Sequence, residues 1–456
     1  MTADARGPWR GFLPLAIGFA AFATCVAVLF PGWMSYDSSH QFWQVRTGEF
    51  TNLSPVVMTA LWSAVYALVP RPSALFLLHL AAYWSGIVLL AFTLWRGALV
   101  RAGFIVVAGF VPPAIVILGH LWTDASLIAA LSLASGLTVT GLVRRQRWPL
   151  ALALPAILYA GAVRHNSLLA IVPLAALWAH AWLRAGEASR AAAPVQARRA
   201  KLAGLALLVV LASFAGGRVL DQALVRERVS TWALLVLWDL AGMSLQSQQL
   251  LIPDLARTPE TNLENLRDRF SPYACVPLFT GPGRVRHGLE GEQFDAGELA
   301  LLRRAWLDAI AAHPGAYLRH RAAVAKRLFG SYRGHAEGLF FVPETVAFRD
   351  NPPGEAVLTG WRNRLAEAVR RTRGWVIYTP ALYLAIALGA AALGWRRRNE
   401  PAGQVALALA GSGLLLVLPL VVVAPGTELR YSGWLFTSSV AALAACFARP
   451  AVPPRT

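Results

Sequence analysis

A chain of 456 residues that is 56% hydrophobic and 14% charged, with a mean hydropathy of +0.50, is not a soluble globule. Its net charge of +18 comes from 40 Arg and two Lys, Lys201 and Lys326, against 24 acids. That excess invites a nucleic-acid reading, but base-stacking modules and a basic domain are both missing, so no nucleic-acid partner is expected.

In chain order, apolar runs occupy 12–30, 73–95, 102–119, 125–143, 149–163, 166–183, 202–217, 375–395, 403–424 and 432–448. A helix needs about 20 apolar residues to cross the roughly 30 Å hydrocarbon core. The pattern predicts an all-α polytopic membrane protein with about ten transmembrane helices. The first run, from Phe12 to Phe30, is flanked by Arg6 and Arg10 and is too long for a signal-peptide core, so it reads as a retained span. The run 54–69 contains Pro55 and is shorter than a span; leaving it out makes the loop charges segregate. Cys25, Cys275 and Cys446 fall in a span, a loop domain and a span, and predict neither a disulfide nor a metal cluster.

With the N-terminus inside, the inner segments hold 17 Lys/Arg and three acids. The short outer loops hold only Arg46, Arg71, Arg164 and Arg430, against four acids. This is the positive-inside asymmetry. It predicts a multi-pass protein of a bacterial inner (cell) membrane, with its outer face periplasmic or extracellular and its inner basic residues facing anionic lipid headgroups. Three regions follow. Residues 1–217 form a transmembrane module with a first external loop, 31–72. Residues 218–374 form an external, mostly helical domain. Residues 375–456 form the last spans and a short cytoplasmic tail.

Within the external domain, "AGELALLRRAWLDAIAAH" (296–313) has Leu299, Leu302, Trp306 and Ile310 at helical spacing. Pro314 then opens a second helix ending at Gly330, a favoured first position. The apolar stretch 230–243, interrupted by Asp239, is expected to lie on the membrane surface. The Gly-rich stretch 277–293 is expected to be irregular.

The polar motifs at the membrane boundary all map to the outer face. They are "MSYDSSHQFWQVRTGEF" from Met34, "GHLWTD" (119–124), "VRHNS" (163–167) and "GTELRYS" (426–432). Ionisable groups at membrane depth are expensive and are functional candidates by default. Asp37 and Asp124 are the candidate catalytic carboxylates; His40, Arg164, His165, Asn166, Arg430 and Tyr431 are the candidate substrate-binding residues. A carboxylate such as Asp37 can take the proton of an acceptor hydroxyl or amine. A guanidinium such as that of Arg164 or Arg430 suits a phosphate leaving group. Each also has a plainer reading. Asp37 can be a solvated cap, Asp124 the N-cap of its span, and His40 an interfacial histidine. His165 and Asn166 can satisfy helix ends, and Arg430 with Tyr431 can be an interfacial anchor. Co-localisation on one face is what argues for a site.

The stretch "MSYDSSHQFWQVRTGEFTNLSPVVMTALW" resembles the first external loop of the GT-C superfamily of integral-membrane glycosyltransferases, such as protein O-mannosyltransferases and lipid A aminoarabinose transferases. Asp37 matches the acidic position after span 1, and Gly48 and "NLSPVV" match the turn region. Leu53-Ser54-Pro55 stands where the family has His-Pro-Pro, a departure at the histidine. "LWTDASL" (121–127), "RHNSLLAIVPL" (164–174), "WDLAGMS" (238–244), "WLDAIAAHPGAYLRHR" (306–321) and "LRYSGW" (429–434) also resemble bacterial members, in the same order. The resemblance implies transfer of a sugar, with inversion, from a polyprenyl-phosphate-linked donor to a lipid, glycan or protein acceptor. Asp37 would be the general base, Asp124 a second acid, and Arg164 and Arg430 phosphate binders. Some relatives use a divalent metal and others none; one Asp-x-x-His leaves both open. Rival readings are a transporter or flippase for lipid-linked saccharides, an O-antigen-type polymerase or ligase, and a membrane scaffold.

Overall fold

The computed structural model describes residues 9–186, 194–289 and 291–448. Its regular structure is almost entirely helical. The first half runs α1 (Trp9–Leu29), α2 (Tyr36–Thr47), α3 (Val56–Leu68), α4 (Ser73–Leu94), α5 (Ala98–Gly109), α6 (Pro112–Leu118), α7 (Thr123–Arg144), α8 (Arg147–Ala162), α9 (Ser167–Gly186) and α10 (Val195–Leu224). The second half runs α11 (Thr231–Ser247), α12 (Leu263–Arg269), α13 (Ala296–Ala312), α14 (Pro314–Leu328), α15 (Trp361–Thr372), α16 (Pro380–Arg396), α17 (Pro401–Val417), α18 (Leu420–Val423) and α19 (Gly433–Cys446). The strands β1 (Phe50–Thr51) and β2 (Val225–Glu227) form one short parallel pair.

Among the described residues, six helices are long and apolar enough to cross a membrane, or seven if the bent pair α5–α6 is one span. The expected count of ten is therefore not reached by length. The sequence runs 149–163, 375–395 and 432–448 form helices of 16, 17 and 14 residues. These are short of the roughly 20 residues that a straight crossing takes.

The α5–α6 bend of 65° has a local cause. Pro112 and Pro113 bring no N–H, and the residue before a proline is pushed out of helical geometry. Carbonyls freed by the break need a donor in an apolar layer. The Tyr83 hydroxyl supplies it, donating to the Gly109 carbonyl at 2.8 Å.

α7 is the central helix, with 89% of its apolar window buried. It packs on α4, α8, α9 and α19. Its approach to α4 uses missing side chains. A Cβ on Gly86 would sit 2.2 Å from the Ser132 backbone, and one on Gly136 would sit 2.6 Å from the Gly86 carbonyl oxygen. Small residues that let backbones touch are the usual glue of helices in lipid. Gly86→Val is therefore expected to cost about 1–3 kcal/mol or more by overpacking, since only backbone could move aside. Gly103→Val on α5, where a Cβ meets nothing within 4 Å, is expected to be silent. Melting temperatures of the two variants in detergent check the contrast.

α3 is tied down at both of its ends. Just before it, β1 pairs with β2, and the Asn52 amide donates to the Val229 carbonyl at 3.1 Å. Just after it, the Ser73 N–H and hydroxyl both donate to the Glu355 carboxylate at 2.9 Å. Both flanks of the short helix are thus held by the 218–374 segment.

α11 does not present a free face to a membrane surface. It is the buried helix of the 218–374 segment, packed on α12, α13 and α14. The reason is Asp239, which is fully buried. Arg321 Nη2 lies 2.6 Å and His320 Nε2 3.1 Å from its Oδ1, and the Trp306 indole donates to its Oδ2 at 3.1 Å. α13 and α14 lie where the apolar spacing and Pro314 put them. An Asp295–Glu298 capping box starts α13.

Candidate functional site

Four loops converge at one end of the helix layer. The chain after α1 is tied to the chain before α7 by backbone bonds: Trp33 N–H to the Gly119 carbonyl at 2.8 Å, and Leu121 N–H to the Trp33 carbonyl at 2.9 Å. The Trp122 indole donates to the Ser35 hydroxyl at 2.8 Å, which fixes the start of α2 against the start of α7. Trp122 in turn stacks on His120 with ring centroids 3.7 Å apart. Burial holds the His120 imidazole down to about 3, so it packs as a neutral ring.

The fourth loop, leading into α19, is gripped by the 218–374 segment. Arg321 Nη1 donates to the Ala424 carbonyl at 2.9 Å, and the Tyr332 hydroxyl to the Thr427 carbonyl at 2.8 Å. The Thr427 N–H donates to the Tyr273 carbonyl at 2.7 Å. This fixes a short 3₁₀ turn, Leu429–Ser432, that presents Arg430 and Tyr431.

Arg430 is the hub. Its Nη2 lies 2.8 Å from Asp37 Oδ2, and its Nε donates to the Glu428 carboxylate. Its guanidinium sits 4.9 Å from the Trp122 ring centroid, over the face. Burial works against this charge, but Glu428 and Asp37 outweigh it and hold the guanidinium protonated well above the ordinary arginine range. Beside it, Arg164 pairs with Asp124 and lies 5.4 Å from the Tyr431 ring. The Tyr431 hydroxyl donates to Glu428 at 3.2 Å. Burial first, then the Glu428 charge, keeps that phenol protonated.

The two pairs differ in exposure. The Asp37 side chain is 43% exposed, whereas that of Asp124 is 4% exposed. Asp124 Oδ2 is buried with no hydrogen-bond partner. Asp37 can therefore meet a ligand from solution, while Asp124 fixes Arg164. Asp124→Asn is expected to leave Arg164 as an uncompensated, mostly buried charge and to cost about 3–5 kcal/mol, read as a lowered melting temperature. Asp37→Asn, with Glu428 still on Arg430, is expected to cost about 1 kcal/mol or less.

The structure thus brings together Asp37, Asp124, Arg164, Arg430 and Tyr431. Asn166 stands behind them as a brace. Its Oδ1 accepts from Arg164 Nε at 3.3 Å, and its Nδ2 donates to the Leu416 carbonyl at 3.3 Å. His40 is elsewhere on α2. Its ring is buried with Phe348 at 5.1 Å and Trp43 at 6.3 Å, and its Nε2 lies 3.1 Å from the Gln44 amide. His165 is exposed at the turn between α8 and α9. Among the described residues, no group of three His, Cys, Asp or Glu is placed to hold a metal ion.

Glu428 and Trp122 belong to the cluster and were not singled out from the sequence. The signal for Glu428 was present: it stands two residues before Arg430 in the same polar motif. Trp122 had none, since one Trp among 17 carries no pattern.

The cluster holds three carboxylates and two guanidiniums within reach of one another, with one carboxylate open to solvent. Chemically, it can exchange partners: an incoming phosphate can take an arginine fork and release a carboxylate as a base. No protein-family model, no curated protein and no solved structure matches the chain.

Proposed function

We propose that the chain is a GT-C-type membrane glycosyltransferase that moves a sugar from a polyprenyl-phosphate-linked donor to an acceptor on the outer face of a bacterial inner membrane. The observation that carries the reading is the Asp37–Arg430 pair at 2.8 Å, joining the loop that resembles the family's acidic loop to a second, distant motif. In this reading the chain crosses ten times, the three short helices included, and the Arg430 cluster faces the periplasm in line with the charge asymmetry of the loops.

The chemistry proceeds from the partner exchange. The donor's phosphate takes the forks of Arg430 and Arg164. Asp37, released from Arg430, accepts the proton of the acceptor hydroxyl. The acceptor oxygen forms its bond to the anomeric carbon as the bond from that carbon to the phosphate oxygen breaks. Polyprenyl phosphate leaves with its negative charge held by the arginines. Attack on the face opposite the phosphate inverts the anomeric centre.

The broken α5–α6 helix is what a transporter reading would use, since transporters place substrate at such breaks. Here the break is packed by Trp84, whose ring lies 4.9 Å from Phe110, and no charged side chain sits at it. That packing favours the transferase.

Thermal stabilisation by product tests the reading. A ligand at 100 times its Kd raises stability by about 2.7 kcal/mol. Polyprenyl phosphate is expected to raise the melting temperature of the wild type and to do so much less for Arg430→Lys, which keeps the charge but loses the fork. An equal rise in both, or none in the wild type, would contradict it.

A further inference from the structure

The 218–374 segment reaches the Arg430 cluster through a charge buried in its own core. α11 carries one charged side chain, Asp239, between Trp238 and Leu240. It is 0% exposed, and three side chains close on it: Trp306 from α13, and His320 and Arg321 from α14. A missing side chain makes the room. A Cβ on Gly242, one turn further along α11, would sit 2.4 Å from His320 Nδ1, so glycine lets that ring lie on α11 with Nε2 toward Asp239. Arg321, 4% exposed, splits its fork. Nη2 lies 2.6 Å from Asp239 Oδ1, and Nη1 donates across to the Ala424 carbonyl at 2.9 Å. Ala424 caps the C-terminal end of α18, where the last carbonyls have no partner within their own helix.

Folding of the segment alone does not ask for this pair. Taking two charges out of water is costly, and well-packed apolar residues in their place are often neutral or stabilising. What an apolar pair cannot do is donate to a carbonyl in another element. Ala424 stands six residues before Arg430, and the same segment holds the chain between them. The Cys275 N–H donates to the Pro425 carbonyl at 3.2 Å, and the Thr427 N–H and carbonyl bond Tyr273 and Tyr332. Among the described residues, Arg321 brings the only full charge to these backbone contacts.

We propose that Asp239 and Arg321 are positioning residues of the transfer site. The buried carboxylate aims the guanidinium, and the guanidinium fixes the end of α18. Arg430 is thereby held where Asp37, Glu428 and the Trp122 face meet it. Neither residue touches the substrate. The effect on turnover rests on the transferase reading; the hold on the loop does not. A misplacement of about 1 Å costs up to about 10²-fold in rate. The donor's phosphate would still find the guanidinium, but out of line with the attacking acceptor.

The test uses the full chain in neutral detergent and two variants. Asp239→Leu/Arg321→Met replaces the pair by apolar side chains and is expected to melt with the wild type. Arg321→Lys replaces the fork by a single nitrogen, which is expected to stay with Asp239 and release Ala424; it supplies the same readings where the double variant fails to fold. Hydrogen exchange, read by mass spectrometry without substrate, follows the amides of Thr427 and Tyr431, which donate to the Tyr273 and Glu428 carbonyls. In both variants these amides are expected to exchange about tenfold faster or more, with α7 unchanged. In transfer assays kcat is expected to fall about tenfold or more, with KM changing about twofold or less, a split that a merely structural role does not produce. Unchanged exchange in a folded variant would overturn the proposal, since Tyr273 and Tyr332 would then suffice for the loop. So would faster exchange throughout the protein, or a wild-type kcat in a variant whose loop has loosened. A wild type that transfers nothing with any donor would sink the transferase reading instead, and exchange then decides the hold on the loop by itself.

Discussion

Asp37→Asn is expected to lower sugar transfer by about 10²–10⁴-fold while leaving the protein folded. The two halves of this expectation have separate causes. Asn keeps the size and polarity of the side chain but cannot accept the acceptor's proton, so the chemical step loses its base. Stability survives because Asp37 is 43% exposed and Arg430 keeps Glu428 as a partner. Release of polyprenyl phosphate in single-turnover experiments reads the first half, and melting in detergent reads the second. A variant that unfolds would show Asp37 to be a structural anchor, and one that turns over at the wild-type rate would remove it from the chemistry.

Arg430→Gln is expected to have the larger combined effect. The guanidinium is 14% exposed and sits between Asp37, Glu428 and the Trp122 face. Removing it leaves Glu428, 22% exposed, without its guanidinium partner and with the Tyr431 hydroxyl still donating to it, while Asp124 keeps Arg164. Removing one member of a mostly buried pair costs about 3–5 kcal/mol. Transfer is expected to vanish as well, since the phosphate loses its fork. Arg430→Lys separates the two effects. It is expected to restore most of the stability and little of the activity, because a point charge cannot hold two phosphate oxygens in one plane. A Gln variant that melts with the wild type would show that the pair contributes little and that the loop is held by its bonds to Arg321, Tyr332 and Tyr273.

The sequence marked the residues of the cluster more fully than it marked the helix lengths. They were legible because ionisable groups beside long apolar runs are few and costly, so the motifs that carry them stand out. Asp37, Asp124, Arg164 and Arg430 come from loops as much as 393 positions apart, yet each was marked by the same rule. His40 and His165 were marked by it too, but a histidine can also be packed as a neutral ring among aromatics or left in solvent. Composition does not tell these fates apart. The spans were harder because hydropathy counts residues and not helix geometry. The run 102–119 reads as one span, and only the consecutive prolines show why it breaks. α11 was misplaced for a related reason. Its one charge looked like an interruption of a surface helix, whereas its partners, His320 and Arg321, stand some 80 residues downstream and turn it into the centre of a domain.

The central claim is transfer from a polyprenyl-phosphate-linked sugar, and its most direct measurement is release of polyprenyl phosphate. The wild-type chain in liposomes, given polyprenyl-phosphate sugars and a cell-envelope acceptor extract, is expected to release polyprenyl phosphate with label passing to the acceptor. Asp37→Asn and Arg430→Lys, equally folded, are expected to release almost none. Release at the wild-type rate by folded Asp37→Asn, or none by folded wild type with any donor, would contradict the account.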